Sequence, residues 1–225
     1  MLRANEIKDN KEFVLNKLSS IERDGYNFEW LKKQLEGSDF FTAPATTKYT
    51  GSYEGGLCEH SIHVYNNLVN LCKMYNVKAG GDTLIILGLL HDMSKMNLYT
   101  TTIQNKKVYS TEGSKHDSMG SFDWVSVPGY AVKEAKDRFV FGNHEATSAY
   151  MVNTFIPLTT EEYVAITHHH AGTHWDSCKD EMGEIFDKYP LAVMLYMADL
   201  SAYYCKSNLE TPEYLDVPDK EEDFK

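Results

Sequence analysis

Apolar positions recur at helical spacing over most of this chain. From Glu6 to Arg23 the residues Ile7, Phe13, Val14, Leu18 and Ile21 approximate one helical stripe, which Asp24-Gly25 ends. Phe28 to Leu35 predicts a second, short helix closed by Glu36-Gly37. Ser38 to Gly56 holds Pro44, Gly51, Gly55 and Gly56 among many Ser and Thr, and is expected to be a loop. Leu57 to Tyr75 returns to helical period through Ile62, Val64, Tyr65, Leu68 and Leu71. Gly80-Gly81 breaks it, and Asp82 is placed to cap the next helix, the most hydrophobic one, which is expected to run to about Met96.

The texture then changes. Tyr99 to Ile103, polar Gln104 to Lys107, and Val108-Tyr109 have the pattern of a β-hairpin with a polar turn. Thr111 to Gly120 is expected to be a polar loop, and Phe122 to Val127 a third small strand ahead of Pro128-Gly129. Helical signals resume from His144 to Phe155. They continue from Thr159 or Thr160, with Glu162 completing a capping signature, into the cluster His168-His169-His170. A last long helix falls within Met182 to Ser207, broken or started at Pro190; the acidic stretch 208–225 is expected to wrap the surface or fray. No internal repeat or linker interrupts the chain. The expected fold is an all-α helical bundle in one domain, 1–225. N-terminal helices occupy 5–36, the motif-bearing core about 55–204, and a small β-hairpin insertion lies around 98–127.

Composition narrows the class. With 42% hydrophobic residues in 225 there is material for a sizeable core. The net charge of −11 argues against a protein that grips long nucleic acid through its phosphates, but not against a small anionic substrate. No secretory pattern opens the chain, and no apolar run approaches the ~20 residues needed to span a bilayer, so a cytoplasmic protein without membrane contact is expected. The four cysteines, Cys58, Cys72, Cys178 and Cys205, form no CxxC pair and are expected to be reduced thiols.

The chemistry is announced by Leu90-His91-Asp92. The run Thr83 to Leu90 is almost wholly apolar, yet it delivers an imidazole and a carboxylate side by side. Buried charge without a partner is costly, and a divalent metal accepts both a neutral His nitrogen and a carboxylate oxygen. Asp199 lies in a similarly apolar helix, Leu195 to Leu200, while His60 stands near a helix start. His144 opens a helix, and His169 sits in the triple His run. His116-Asp117 is the same dipeptide in a polar loop with no apolar run before it, and is rejected. His63 is expected to support the site or face solvent.

The order of these residues resembles the HD-domain superfamily of metal-dependent phosphohydrolases, whose pattern is His … His-Asp … Asp. Gly55-Gly-Leu-Cys-Glu-His60-Ser, Leu89-Leu-His91-Asp92-Met-Ser-Lys95 and Met197-Ala-Asp199 are similar to its three motifs. The resemblance implies that His60, His91, Asp92 and Asp199 hold one metal. In two-metal members it would make His144 and His169 ligands of a second ion, with Asp92 bridging. His168 and His169 remain alternatives one residue apart. One or two divalent ions are implied; His with carboxylate suits Mn, Fe, Co, Ni or Zn, and Mg is retained. Lys95, a turn beyond the pair, is a candidate for a substrate phosphate or for an exposed helix end. Glu145 is a candidate proton relay or a solvated first-turn residue.

The reaction implied is hydrolysis of a phosphoester, in a nucleotide or short oligonucleotide, by metal-activated water. A 3′→5′ exoribonuclease or phosphodiesterase acting on short RNA or a cyclic nucleotide is the alternative within the enzymes. A nucleotide-binding sensor without turnover, and a structural zinc protein, are the alternatives outside phosphoester chemistry. The expected partner is a small phosphorylated molecule rather than long nucleic acid or membrane, and a homo-oligomer is left open. Phe40-Phe41-Thr-Ala-Pro44-Ala is a candidate entrance lining or core filler. The β excursion, with Lys106, Lys107 and Trp124, is a candidate cover for the site or a solvated hairpin. No glycine-rich phosphate loop or GxSxG nucleophile motif is present.

Overall fold

The structure, a computed structural model, describes residues 2–139, 142–170 and 179–205; Cys178, His174 and the acidic stretch 208–225 lie outside the described residues. Eight α-helices appear among them: α1 (Ala4–Ser19), α2 (Phe28–Glu36), α3 (Gly56–Tyr75), α4 (Gly81–Leu90), α5 (His144–Phe155), α6 (Thr160–Thr167), α7 (Lys179–Lys188) and α8 (Pro190–Tyr204). The helices pack around one apolar cluster. It runs from Val14 and Leu18 of α1 through Ile62, Tyr65 and Leu68 of α3 to Leu191 and Leu195 of α8.

α3 and α4 form the centre. Seven consecutive residues of α4, Leu84 to Leu90, are buried, so this helix has no solvent face and must be enclosed by others. Each fully buried Leu or Ile contributes about 1.5–3 kcal/mol relative to exposure. The helix begins after Gly80 rather than at Asp82, which falls in the first turn. It also stops earlier than expected, at Leu90. Met93–Lys95 form a separate 3₁₀ turn, closed by the Lys95 amide donating to Asp92 O at 2.9 Å. Pro190 starts α8 rather than breaking a longer helix, because its ring fits the first helical turn.

The chain is not all-α. Helices dominate, but β1 (Tyr99–Tyr109), β2 (Lys115–Asp117) and β3 (Gly120–Val132) form a three-stranded antiparallel sheet in the order β1-β3-β2. The insertion is therefore a sheet over 99–132, not a short hairpin over 98–127. Gln104 to Lys107, expected to turn, run straight on in β1, opposite Val127 to Trp124. Polarity misleads here because most of β1 is exposed, so polar residues within it mark no turn. The reversal lies after Tyr109, where β2 occupies part of the expected loop. Pro128-Gly129, expected to end a strand, sit within β3. Gly129 makes room there for the Gln104 side chain that crosses it, 2.6 Å from where a Cβ would stand.

Phe40 and Phe41 are buried and serve the core. Cys58 and Cys72 are buried free thiols and Cys205 is an exposed one. No helix among the described residues is long and apolar enough to cross a membrane.

Candidate metal centre

Five chain segments end at one point. His60 comes from the first turns of α3, His91 and Asp92 from the end of α4, and Asp199 from within α8. His144 and Glu145 open α5, where Asn143 caps the helix by accepting the Ala146 amide. His168 to His170 follow the end of α6.

His60, His91, Asp92 and Asp199 are all buried, and each offers one ligand atom within 4.8 Å of the others. His60 Nε2 lies 2.9 Å from Asp199 Oδ1 and 3.7 Å from Asp92 Oδ2. His91 Nε2 lies 3.6 Å from the same two oxygens. A second group, His144, His169 and His170, adjoins the first. His169 Nε2 is 3.5 Å and His144 Nε2 3.9 Å from Asp92 Oδ1. The Asp92 carboxylate thus turns one oxygen to each group.

The histidine tautomers are set from behind. His91 Nδ1 lies 3.1 Å from Gly88 O, and His169 Nδ1 lies 2.6 Å from Ile166 O. A carbonyl only accepts, so each Nδ1 carries the proton and each Nε2 turns a lone pair to the centre. His91 Nε2, His169 Nε2 and Asp92 Oδ1 have no hydrogen-bond partner although they are buried. Such orphaned acceptors are costly when buried. A divalent cation, which supplies what three lone pairs lack, fits this donor set.

The charge states agree. Burial depresses the pKa of His60 and His169, outweighing the pull of neighbouring carboxylates, and takes His144 to about 4. Neutral imidazole is the form that ligates. Burial would raise the pKa of Asp92, but Lys95 and the surrounding histidines hold it well below the usual carboxylate range. Asp199 is held down likewise against its burial, by His170, His60 and His91. Lys95 Nζ lies 2.6 Å from Asp92 Oδ2, and the carboxylate keeps the buried ammonium charged.

His170 is the residue the sequence did not single out. Its Nδ1 is 2.8 Å from His144 Nε2, and its Nε2 is 2.9 Å from Asp199 Oδ2, so it joins the two groups. Burial lowers its pKa, but Asp199 and Glu145 outweigh this and raise it to about 9. Glu145 lies 3.1 Å from His144 Nδ1 and 3.3 Å from His170 Nδ1. Burial works against its ionisation, yet the His170 hydrogen bond and the His144 charge bring it down to about 2. His168 turns away, its Nδ1 2.8 Å from Val164 O. His63 is buried on α3, outside both groups. His116 and Asp117 lie in β2 and belong to neither group.

A cavity of about 260 Å³ opens beside the first group. His60, Lys95, His170 and Asp199 form its polar end, and Ala45, Leu200, Tyr203 and Tyr204 its apolar walls. Tyr203 lies four residues after Asp199 on α8, the spacing that places two side chains on one helical face. No family model, no curated protein and no solved structure matches the chain.

Proposed function

We propose that this protein is a metal-dependent phosphohydrolase that cleaves a phosphoester of a nucleotide or short oligonucleotide. The observation that carries the reading is the convergence of His60, His91, Asp92 and Asp199, all buried, with His91 Nε2 and Asp92 Oδ1 left without a hydrogen-bond partner. The three motifs that resemble the HD-domain superfamily contain these same four residues.

His60, His91, Asp92 and Asp199 would hold one divalent ion, and His144 and His169, with Asp92 between, a second. His170, charged and bonded at both ring nitrogens, would bridge the two groups by hydrogen bonds instead. Bound there, such an ion lowers the pKa of a water molecule and offsets charge developing on phosphoryl oxygens. The remaining work falls to the chain. Lys95 lines the cavity with its ammonium charged, where it attracts and orients a phosphate. Glu145, ionised, fixes the ring of His170 and lies beside that of His144. Tyr203 and Tyr204 supply apolar surface for a ring attached to the phosphate. The cavity suits a small substrate, and the acidic surface disfavours a polymer. Hydrolysis adds water across the P–O bond: the hydroxyl oxygen goes to phosphorus and the proton to the leaving oxygen.

The test is elemental analysis of the purified protein, then phosphate release from a nucleotide panel with Mn²⁺, Mg²⁺, Co²⁺ or Ni²⁺. Turnover that Asp92→Ala abolishes is expected. Nucleotide binding without turnover under every metal would instead make the protein a sensor. A protein that neither contains nor takes up metal would sink both.

A further inference from the structure

We infer that the free edge of β1 pairs antiparallel with the same strand of a second copy, joining two three-stranded sheets across a two-fold axis. β1 borders the sheet, with β3 on one side only. Its 11 residues hold no proline, and the register with β3 runs without a bulge. Proteins blunt an exposed edge with proline, bulges or lysines; here neither proline nor bulge interrupts it, and Lys106 and Lys107 are confined to its second half.

The phase of the ladder tells which backbone groups face outward. Pro128 pairs with Ile103 and has no N–H, so this pair exchanges no full set of bonds. Beyond the two strand ends, Ser110 N donates to Ser121 O at 3.1 Å and Lys133 N donates to Leu98 O at 3.0 Å. Even-numbered β1 residues therefore bond to β3. The N–H and C=O of Thr101, Ile103, Asn105 and Lys107 point away from it.

Self-pairing satisfies these groups. Full overlap of Tyr99–Tyr109 with its symmetry copy puts Gln104 on the axis. Ile103 then faces Asn105 of the second copy, and Thr101 faces Lys107, so every outward-facing residue meets another. Lys106 meets Thr102, and no lysine opposes a lysine, which would repel. Charge favours the same face. Across 99–132, Lys106, Lys107 and Lys115 balance Glu112, Asp117 and Asp123, whereas the whole chain carries −11. Two acidic molecules meeting through this segment therefore bring no net charge of the segment's own against each other. Of the sixteen large hydrophobics exposed among the described residues, seven lie in 99–132, including Ile103 at 70% and Val108 at 48% exposed. That concentration marks an interaction surface.

The experiment is sedimentation equilibrium of the intact protein from micromolar to sub-millimolar concentration, beside Asn105→Pro. Proline at 105 removes an outward N–H and leaves the β3 ladder untouched. The two-fold axis doubles the loss, so dimerisation should weaken ~10- to 100-fold with the circular dichroism spectrum unchanged. In the unaltered protein, hydrogen exchange at Thr101, Ile103 and Asn105 should slow as concentration rises, while Thr102 stays constant; this readout stands if the variant misfolds. A wild type that remains monomeric, a dimer that Asn105→Pro leaves equally tight, or exchange at the odd positions that ignores concentration would each overturn the inference.

Discussion

Gly88 of α4 lies directly on the backbone of Tyr65 in α3: a Cβ at position 88 would stand 2.5 Å from the Tyr65 Cα. The contact involves backbone, so no side-chain rotation relieves it. This close approach sets the spacing of the two helices, and they carry His60 and His91, whose rings lie 5.5 Å apart. Gly88→Ala is expected to force α3 and α4 apart, costing about 1–3 kcal/mol as overpacking does. Metal affinity should fall with it. Urea unfolding and metal titration of the variant check both, and unaltered metal affinity would show that the spacing tolerates adjustment.

Position within the histidine run decides ligation. His169 Nε2 is buried, without a hydrogen-bond partner and 3.5 Å from Asp92, whereas His168 turns back to Val164 O. His169→Ala should lower the metal content of the purified protein or weaken its uptake by at least tenfold. His168→Ala should leave both within error. Elemental analysis of the two variants, prepared side by side, discriminates, and equal loss from both would contradict the assignment.

Much of this site was legible in the sequence, for a physical reason. His91, Asp92 and Asp199 are polar groups in apolar helices, and burial demands a partner for each. His170 was not legible because α6 ends at Thr167, and beyond a helix end consecutive residues follow no fixed angular period. Only the loop geometry sends His168 back, His169 inward and His170 across to Asp199. Tyr203 carries a usable signal in its spacing of four from Asp199. In the fold, the helices were readable in number and order from α1 to α6, but their ends were less so: α4 stops at Leu90, short of the expected Met96. The sheet was misread where Gln104 to Lys107 continue a strand, because turn and exposed strand share one polar composition.

Lys95 separates substrate binding from metal binding. Its ammonium lies 2.6 Å from Asp92 Oδ2 and lines the cavity, but it donates no lone pair to a cation while charged. Lys95→Met is expected to keep the metal content near that of wild type. A charge-assisted contact to phosphate is worth about 1.5–3 kcal/mol, so kcat/KM should drop roughly 10- to 150-fold, with KM rising. Lys95→Arg should recover part of the loss. Metal content that falls with Lys95→Met would assign the lysine to holding Asp92 instead.

The Arg23–Glu162 pair gives stability a pH dependence distinct from that of the site. Arg23 Nη1 and Nη2 donate to the two Glu162 oxygens at 2.7 and 2.8 Å, and the Glu162 side chain is wholly buried. Thr83 Oγ1 and the Thr159 amide also donate to it. Burial alone would raise the Glu162 pKa, but these donors together bring it below its ordinary value of 4.5. A carboxyl whose pKa is lower folded than unfolded binds its proton more readily in the unfolded chain. Its contribution is therefore complete above about pH 5 and is lost as pH falls through 4.5 toward the folded value. Arg23→Met strands a buried carboxylate and should cost about 3 kcal/mol at pH 7. Glu162→Gln leaves nothing to titrate, so its stability deficit against wild type should be constant from pH 7 to 5 and shrink below pH 4. Urea unfolding of wild type and both variants across that range measures it, and a deficit that persists undiminished in acid would mean the pair stabilises through packing rather than charge.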